Sequence, residues 1–273
     1  MPSNNDIFDG IDTSWTRLKG GAPIGKILAK VQENFNFQNP GASVSQLANA
    51  YALIDKLPDS HWKQIKEKEI KDIIAACSGL YLEGVTNTPM ATIGETVGLR
   101  IEAINRSDAQ ITLNGIIGVD GKEIKIETPL TNNKKYTHEP SFTVDDSFTK
   151  TNAYWLNETG SLGMYKVTDR RLIGKPETPK ENTLRYELTV AGVPITVEKP
   201  VVYKFNDRVK GEVYQYFEIV PEASVALEEK VEIFASTDSK EITVKVTAHK
   251  QNLSGTVALE LAKNWLQRNG QLV

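Results

Sequence analysis

The sequence is poor in the residues that carry most metal and nucleophile chemistry. It holds one cysteine, Cys77, and three histidines, His61, His138 and His249, in 273 residues. A single cysteine excludes an internal disulfide and leaves the redox compartment open. The histidines stand on three different predicted elements and none falls in His-Glu-x-x-His spacing, so local sequence assembles no zinc site. No apolar run approaches the ~20 residues that a helix needs to cross a bilayer. Positive charge is not in excess either. A formal net charge of −3 argues against nucleic acid as a partner, because phosphate binding needs a basic surface. The opening Met-Pro-Ser-Asn-Asn-Asp-Ile-Phe-Asp lacks the basic start and apolar core of a signal peptide.

What is present is ordinary globular composition, 40% hydrophobic and 25% charged, with length for two or three domains. The first third is written in helical period. Ile24, Ile27, Leu28, Val31 and Phe35 share one face by their spacing of three and four. Asn39-Pro40-Gly41 breaks that helix, and Ser43 is the expected cap of a second, with Val44, Leu47, Ala48, Tyr51 and Ile54 as its stripe. After Pro58-Asp59-Ser60 a third helix is expected to place Trp62, Ile65, Ile70, Ile73, Ile74 and Cys77 on one side. Its other side is charged, so the three make a small amphipathic bundle with Trp15 and Trp62 as anchors.

From Tyr81 the period changes to two. Val97-Gly-Leu-Arg-Ile-Glu-Ala alternates as a half-buried strand does. Ile111–Val119 follows, Asp120-Gly121 turns into Ile124–Glu127, and Leu184–Val190 with Ala191-Gly192 and Val193–Val197 reads as a hairpin. Thr131–Glu139 is polar and reads as loop, and Phe205–Gly211 as a linker. The last region reads as strands at Tyr214–Val220, Val225–Glu228, Val231–Phe234, Glu241–Thr247 and Thr256–Leu261. Few residues follow Leu261, so this last β region is expected to be a truncated sandwich, open to self-association through its unpaired edge. The expected fold is multidomain α plus all-β: a helical region over 1–80, an antiparallel, Ig-like β-sandwich over 81–205, and a second Ig-like β domain over 206–273.

Candidate chemistry is sparse. Gly20-Gly-Ala-Pro-Ile-Gly25-Lys26 approaches a phosphate loop, but Ile27 stands where a hydroxyl would bind magnesium, and Pro23 removes an N–H donor. A loop entering the first helix is the expectation. His138-Glu139 and Asp145-Asp146 read as solvated loop pairs, and Cys77 as a packing residue on the third helix. The aromatics carry more. Tyr154, Trp155, Tyr214 and Tyr216 could stack on sugar faces if exposed; alternation along a strand would instead send some of them into a core. No catalytic, metal or cofactor-binding residue is expected.

Several segments together resemble a known family. Trp15-Thr-Arg17 with Gly20-Gly21, Ser60-His-Trp-Lys63 and Ala75-Ala-Cys-Ser-Gly-Leu-Tyr-Leu-Glu83 resemble the region after the catalytic domain in large Bacteroidetes PIG-L/LmbE-like deacetylases. So do Ala103-Ile-Asn-Arg-Ser107, Tyr154-Trp-Leu-Asn-Glu-Thr-Gly-Ser-Leu-Gly-Met-Tyr165, Leu172-Ile-Gly-Lys-Pro176 and Lys199-Pro-Val-Val-Tyr203. Phe217–Leu261 looks like the Ig-like domain found beside carbohydrate-binding modules. The family's His-Pro-Asp-Asp zinc motif has no counterpart in this sequence, so no catalytic residue is carried over. The resemblance implies a periplasmic or extracellular parent that acts on N-acetylated sugars. This chain would be its non-catalytic structural and interaction module, with the adjacent catalytic domain as partner. The alternative is a carbohydrate-binding module, with a glycan as partner.

Overall fold

The computed structural model describes residues 10–236 and 238–261. The opening residues through Asp9 and those after Leu261, on which the missing leader and the early ending were read, lie outside the described residues. Compact packing divides the chain between Ile219 and Val220.

In the first unit, helix α1 (Ala22–Glu33) starts on Pro23, whose missing N–H costs nothing in the first turn. It buries Ile24 and Val31, while Phe35 lies past its end. Trp15 packs on it where Gly25 leaves room: a Cβ there would sit 3.2 Å from the Trp15 Cβ. Helix α2 (Val44–Asp55) buries all five residues of its expected stripe. Ser43 precedes it but does not cap it, because Pro40–Ser43 is a 3-10 turn that feeds straight into α2 and leaves Ser43 already helical. Helix α3 (His61–Ser78) is capped by Ser60, whose Oγ accepts from the Lys63 N–H at 3.1 Å. Gly79, at φ +57°, closes its far end in the left-handed conformation.

The stripe of α3 is narrower than the sequence suggests. Ile70 and Ile74 are buried, but Trp62 is 42% exposed and Ile73 47%. At 100° per residue Trp62 lies about 80° around the helix from Ile70. It is covered instead by the Arg17 guanidinium, 5.3 Å above its ring, and by the edge of His61.

The remaining elements of this unit are strands: β1 (Tyr81–Thr86), β2 (Met90–Ala91), β3 (Thr96–Ile104), β4 (Ile111–Ile117), β5 (Glu123–Pro129), β6 (Lys135–His138), β7 (Ser141–Thr143), β8 (Thr183–Val190), β9 (Val193–Pro200), β10 (Val202–Asp207), β11 (Gly211–Tyr216) and β12 (Glu218–Ile219). One sheet runs β11-β10-β1-β3-β6, with β7 on the other half of β3. Its β1–β10 pair is parallel and its other pairs are antiparallel. The second sheet, β5-β4-β8-β9, is antiparallel throughout. Alternation sorts the side chains. Val97, Leu99, Ile101 and Ala103 of β3 and Leu184, Tyr186, Leu188 and Val190 of β8 are buried. At Gly84 of β1 the sheets come so close that a Cβ would collide with Leu184 Cδ1. These residues and the stripe of α2, which lies against β8 and β9, belong to one buried cluster. The class is therefore mixed α and β, with helices and sheets sharing a core.

Both expected hairpin turns form. Asp120-Gly121 joins β4 to β5, with Gly121 at φ +73°. Ala191 and Gly192, at φ +47° and +84°, make the doubly left-handed turn between β8 and β9. Two polar stretches are corrected. Thr131–Glu139 contains β6, whose polarity reflects its place at the sheet's edge. Phe205–Gly211 is no linker but a hairpin, in which Phe205 and Asn206 pair with Val213 and Glu212. Residues 211–219, grouped above with the last β region, thus pair inside the first unit.

In the second unit, β13 (Ala223–Leu227) and β14 (Val244–Ala248) form an antiparallel ladder. The expected strands at Val231–Phe234 and Thr256–Leu261 are absent from the described residues, where both runs are irregular and Val231 and Ile233 are exposed. An apolar alternation without a neighbouring strand has nothing to hydrogen-bond to.

Candidate functional site

Residues 144–182 connect β7 to β8 with little regular structure, only a 3-10 turn at Tyr154–Leu156 and a bridge between Ser161 and Met164. Connections this long inside a compact body are uncommon, and are either functional surfaces or linking segments. Its base is pinned to the strand ends. The Thr151 N–H donates to the Ile219 carbonyl at 2.8 Å, and the Ile219 N–H returns to Thr151 Oγ1 at 3.0 Å. Asn182 Nδ2 donates to the Phe217 carbonyl at 3.2 Å. Thr178 then ties the two sides of the loop: its Oγ1 donates to the Asn152 carbonyl and accepts from the Tyr154 N–H, both at 3.0 Å.

The outer arm is held by its own charges. Glu158 accepts from both the N–H and the hydroxyl of Thr168 at 2.9 Å, and these bonds hold its carboxyl below the usual range. Asp169 is clamped by the side chain and backbone of Arg171, which lower it to about 2. Asp145 is likewise lowered by the hydroxyl and N–H of Ser147. Each shift serves a turn of the loop itself, the structural reading of a perturbed carboxylate. The same arm turns apolar side chains outward. Leu162 is fully exposed, and Leu156, Met164, Tyr165 and Ile173 of the same arm are exposed as well.

Where the loop base meets the ends of β10 and β11, a cleft of about 50 Å³ opens to solvent. Asn152, Asn157, Lys180, Glu181, Asn182 and Tyr216 line it together with three threonines and Lys150. The Lys180 ammonium lies 4.4 Å from the centroid of the Tyr216 ring and pairs with Glu177 at 3.4 Å.

The four aromatics named from sequence fall into two pairs. Tyr154 and Trp155 meet edge to face, 4.9 Å apart at 86°, and the Tyr154 hydroxyl donates to the Lys175 carbonyl. They therefore form no flat platform. Tyr214 and Tyr216 share one face of β11 and are 51% and 44% exposed, whereas Phe217 is buried. Tyr214 is engaged: its hydroxyl donates to Glu212, and that bond pushes its pKa up. Beside it, Lys204 bonds Glu83 at 2.9 Å and Glu212 at 3.4 Å, an ion pair laid across β1, β10 and β11. Sequence reasoning missed this triad, which assembles from strands far apart in the chain, and the asparagines of the cleft, which all lie in the irregular 144–182 loop. The polar run near Tyr154 was their only local sign.

The glycines at 20–25 serve packing. A Cβ at Gly21 would collide with the Trp15 carbonyl, and Gly25 faces the Trp15 ring. Cys77 is half-buried against the core, and burial pushes its thiol up. His61 lies on Trp62, His138 pairs opposite Ile101, and His249 shares a hydrogen bond with Ser224 at 2.8 Å. Among the described residues, no group of three or more histidine, cysteine or acidic side chains is placed to hold a metal, and no helix is long and apolar enough to cross a membrane.

No family model matches the chain, and no curated protein matches it. Among solved structures it is similar to a Pseudomonas fluorescens alkylpurine DNA glycosylase, AlkC, bound to DNA containing an abasic site analog. The identity is 9%, with 70% of this chain and 50% of that chain covered, and a TM-score of 0.21. This chain thus spans half the length of that protein, and a likeness so slight carries no conclusion about either.

Proposed function

We propose that this chain is a non-catalytic structural and interaction module of a periplasmic or extracellular sugar N-deacetylase of the PIG-L type, with Ig-like β-sandwich architecture in its β regions. The catalytic domain beside it in the parent protein is its partner. The observation that carries this reading is the loop of residues 144–182. Internal bonds order it, yet Leu162, Met164 and Tyr165 point into solvent on its outer arm. Ordered apolar side chains held away from a core mark a surface made for another molecule. The shifted carboxylates of the loop keep that arm in shape. A second reading, carbohydrate binding, draws support from Tyr216, an exposed ring beside a cleft lined with amides.

The test has two arms. The purified chain, incubated with N-acetylglucosamine conjugates and zinc, releases no acetate above the blank; release proportional to protein overturns the reading. Leu162→Asp combined with Met164→Asp leaves the melting temperature unchanged, because both sites are exposed, and abolishes copurification with the deacetylase domain.

A further inference from the structure

The cleft at the base of the loop has a lining whose chemistry selects a ligand class. Its charges balance, Lys150 and Lys180 against Glu181 and Glu218, so neither a phosphate nor a cation is favoured. Its remaining polar groups are amides and hydroxyls. Asn157 and Glu181 both line the cleft, are exposed to solvent there, and make no side-chain bond within the described residues, so their side chains are free to meet a ligand. Their backbone is fixed in advance by the bonds of Thr151 to Ile219, Asn182 to Phe217 and Thr178 to Asn152, which lowers the ordering cost of binding. The cleft, open on one side, holds about 50 Å³. That is room for a few water-sized groups, given roughly 10–15 Å³ for each, and the open side leaves the rest of a larger ligand outside. There it meets Tyr216.

We propose that this cleft binds a neutral polyhydroxylated ligand, a carbohydrate residue, with Tyr216 as the ring under its C–H face and Asn157 and Glu181 as partners of its hydroxyls. Lys180 is the movable part of the wall. It lies over Tyr216 and moves toward Glu177, already its ion-pair partner, as the sugar takes its place on the ring. The proposal rests on the carbohydrate reading and is independent of the docking of the outer arm. It moves the site away from Tyr154 and Trp155.

The experiment titrates the isotopically labelled full chain with methyl glycosides of common hexoses and N-acetylhexosamines, followed by amide chemical shifts. Saturable shifts at residues 149–157, 178–182 and 216–218, with a millimolar Kd, are expected for at least one sugar. Tyr216→Ala weakens that affinity about tenfold, the size of one aromatic contact. Asn157→Ala with Glu181→Gln weakens it as well without altering the melt, which keeps the test valid if the tyrosine variant misfolds. Shifts confined to Tyr154 and Trp155 overturn this site and leave the carbohydrate reading standing. No saturable shift with any sugar overturns both, and binding indifferent to all three substitutions overturns the site.

Discussion

Tyr186 shows how one side chain can carry a cost that the fold absorbs. Its ring fills the space between the sheets, yet its hydroxyl, fully buried, has no hydrogen-bond partner among the described residues. Burial, and then the nearby Glu83 carboxylate, push its pKa well above that of a free tyrosine. A buried hydroxyl without a partner costs roughly 1–3 kcal/mol, so Tyr186→Phe is expected to be neutral or to stabilise the chain by about 1 kcal/mol. Denaturant unfolding measures this, and a loss above about 1 kcal/mol would show that the hydroxyl is satisfied. The sign with pH follows. A folded pKa raised above the unfolded value, about 10, means stability that is whole below pH ~10 and lost as pH rises beyond it. Tyr81, raised by burial and then by its hydrogen bond to Glu83, adds to the same loss. Alkaline unfolding should therefore be less steep with pH in Tyr186→Phe than in the natural chain.

At the scale of elements, packing is concentrated where a stripe meets a partner. Ile74 of α3 is buried against the cluster, and truncation to Ala should cost about 2–5 kcal/mol. Trp62, on the same helix and much larger, should cost less than about 1 kcal/mol when changed to Ala, because its ring is half in solvent. Equal losses in the two melts would contradict this placement of α3. The comparison also shows what could be read in advance. The stripe of α2 and the alternation of β3 were legible because each touches its partner along its whole length. So were the two hairpin turns, whose glycines the backbone demands. Trp62 was misread because residue type speaks for burial while the angle around the helix decides it. The cleft was not legible: Asn182 and Tyr216 meet through the β8–β9 and β10–β11 ladders and the bonds at Val201 and Phe217, while Asn157 reaches them from an irregular loop. No local pattern encodes such a juxtaposition.

At the scale of the whole chain, the two units differ in how much they bury. The first joins helices and both sheets through one cluster, so α2, β3 and β8 should open to hydrogen exchange together. In the second, the β13–β14 ladder leaves Val225, Leu227 and Val246 exposed. Among the described residues no third strand joins this ladder, and two strands alone are marginal in water, so its amides should exchange much faster than those of β3; equal protection would show that the second unit has a core of its own. Under the function we propose, the outer arm of the 144–182 loop is the surface by which this chain meets a deacetylase domain. Hydrogen exchange of the chain with and without that domain tests it most directly. The account predicts slowed exchange concentrated at residues 156–173, strongest around Leu162 to Tyr165. Unchanged exchange across that arm, with protection elsewhere or nowhere, would contradict it.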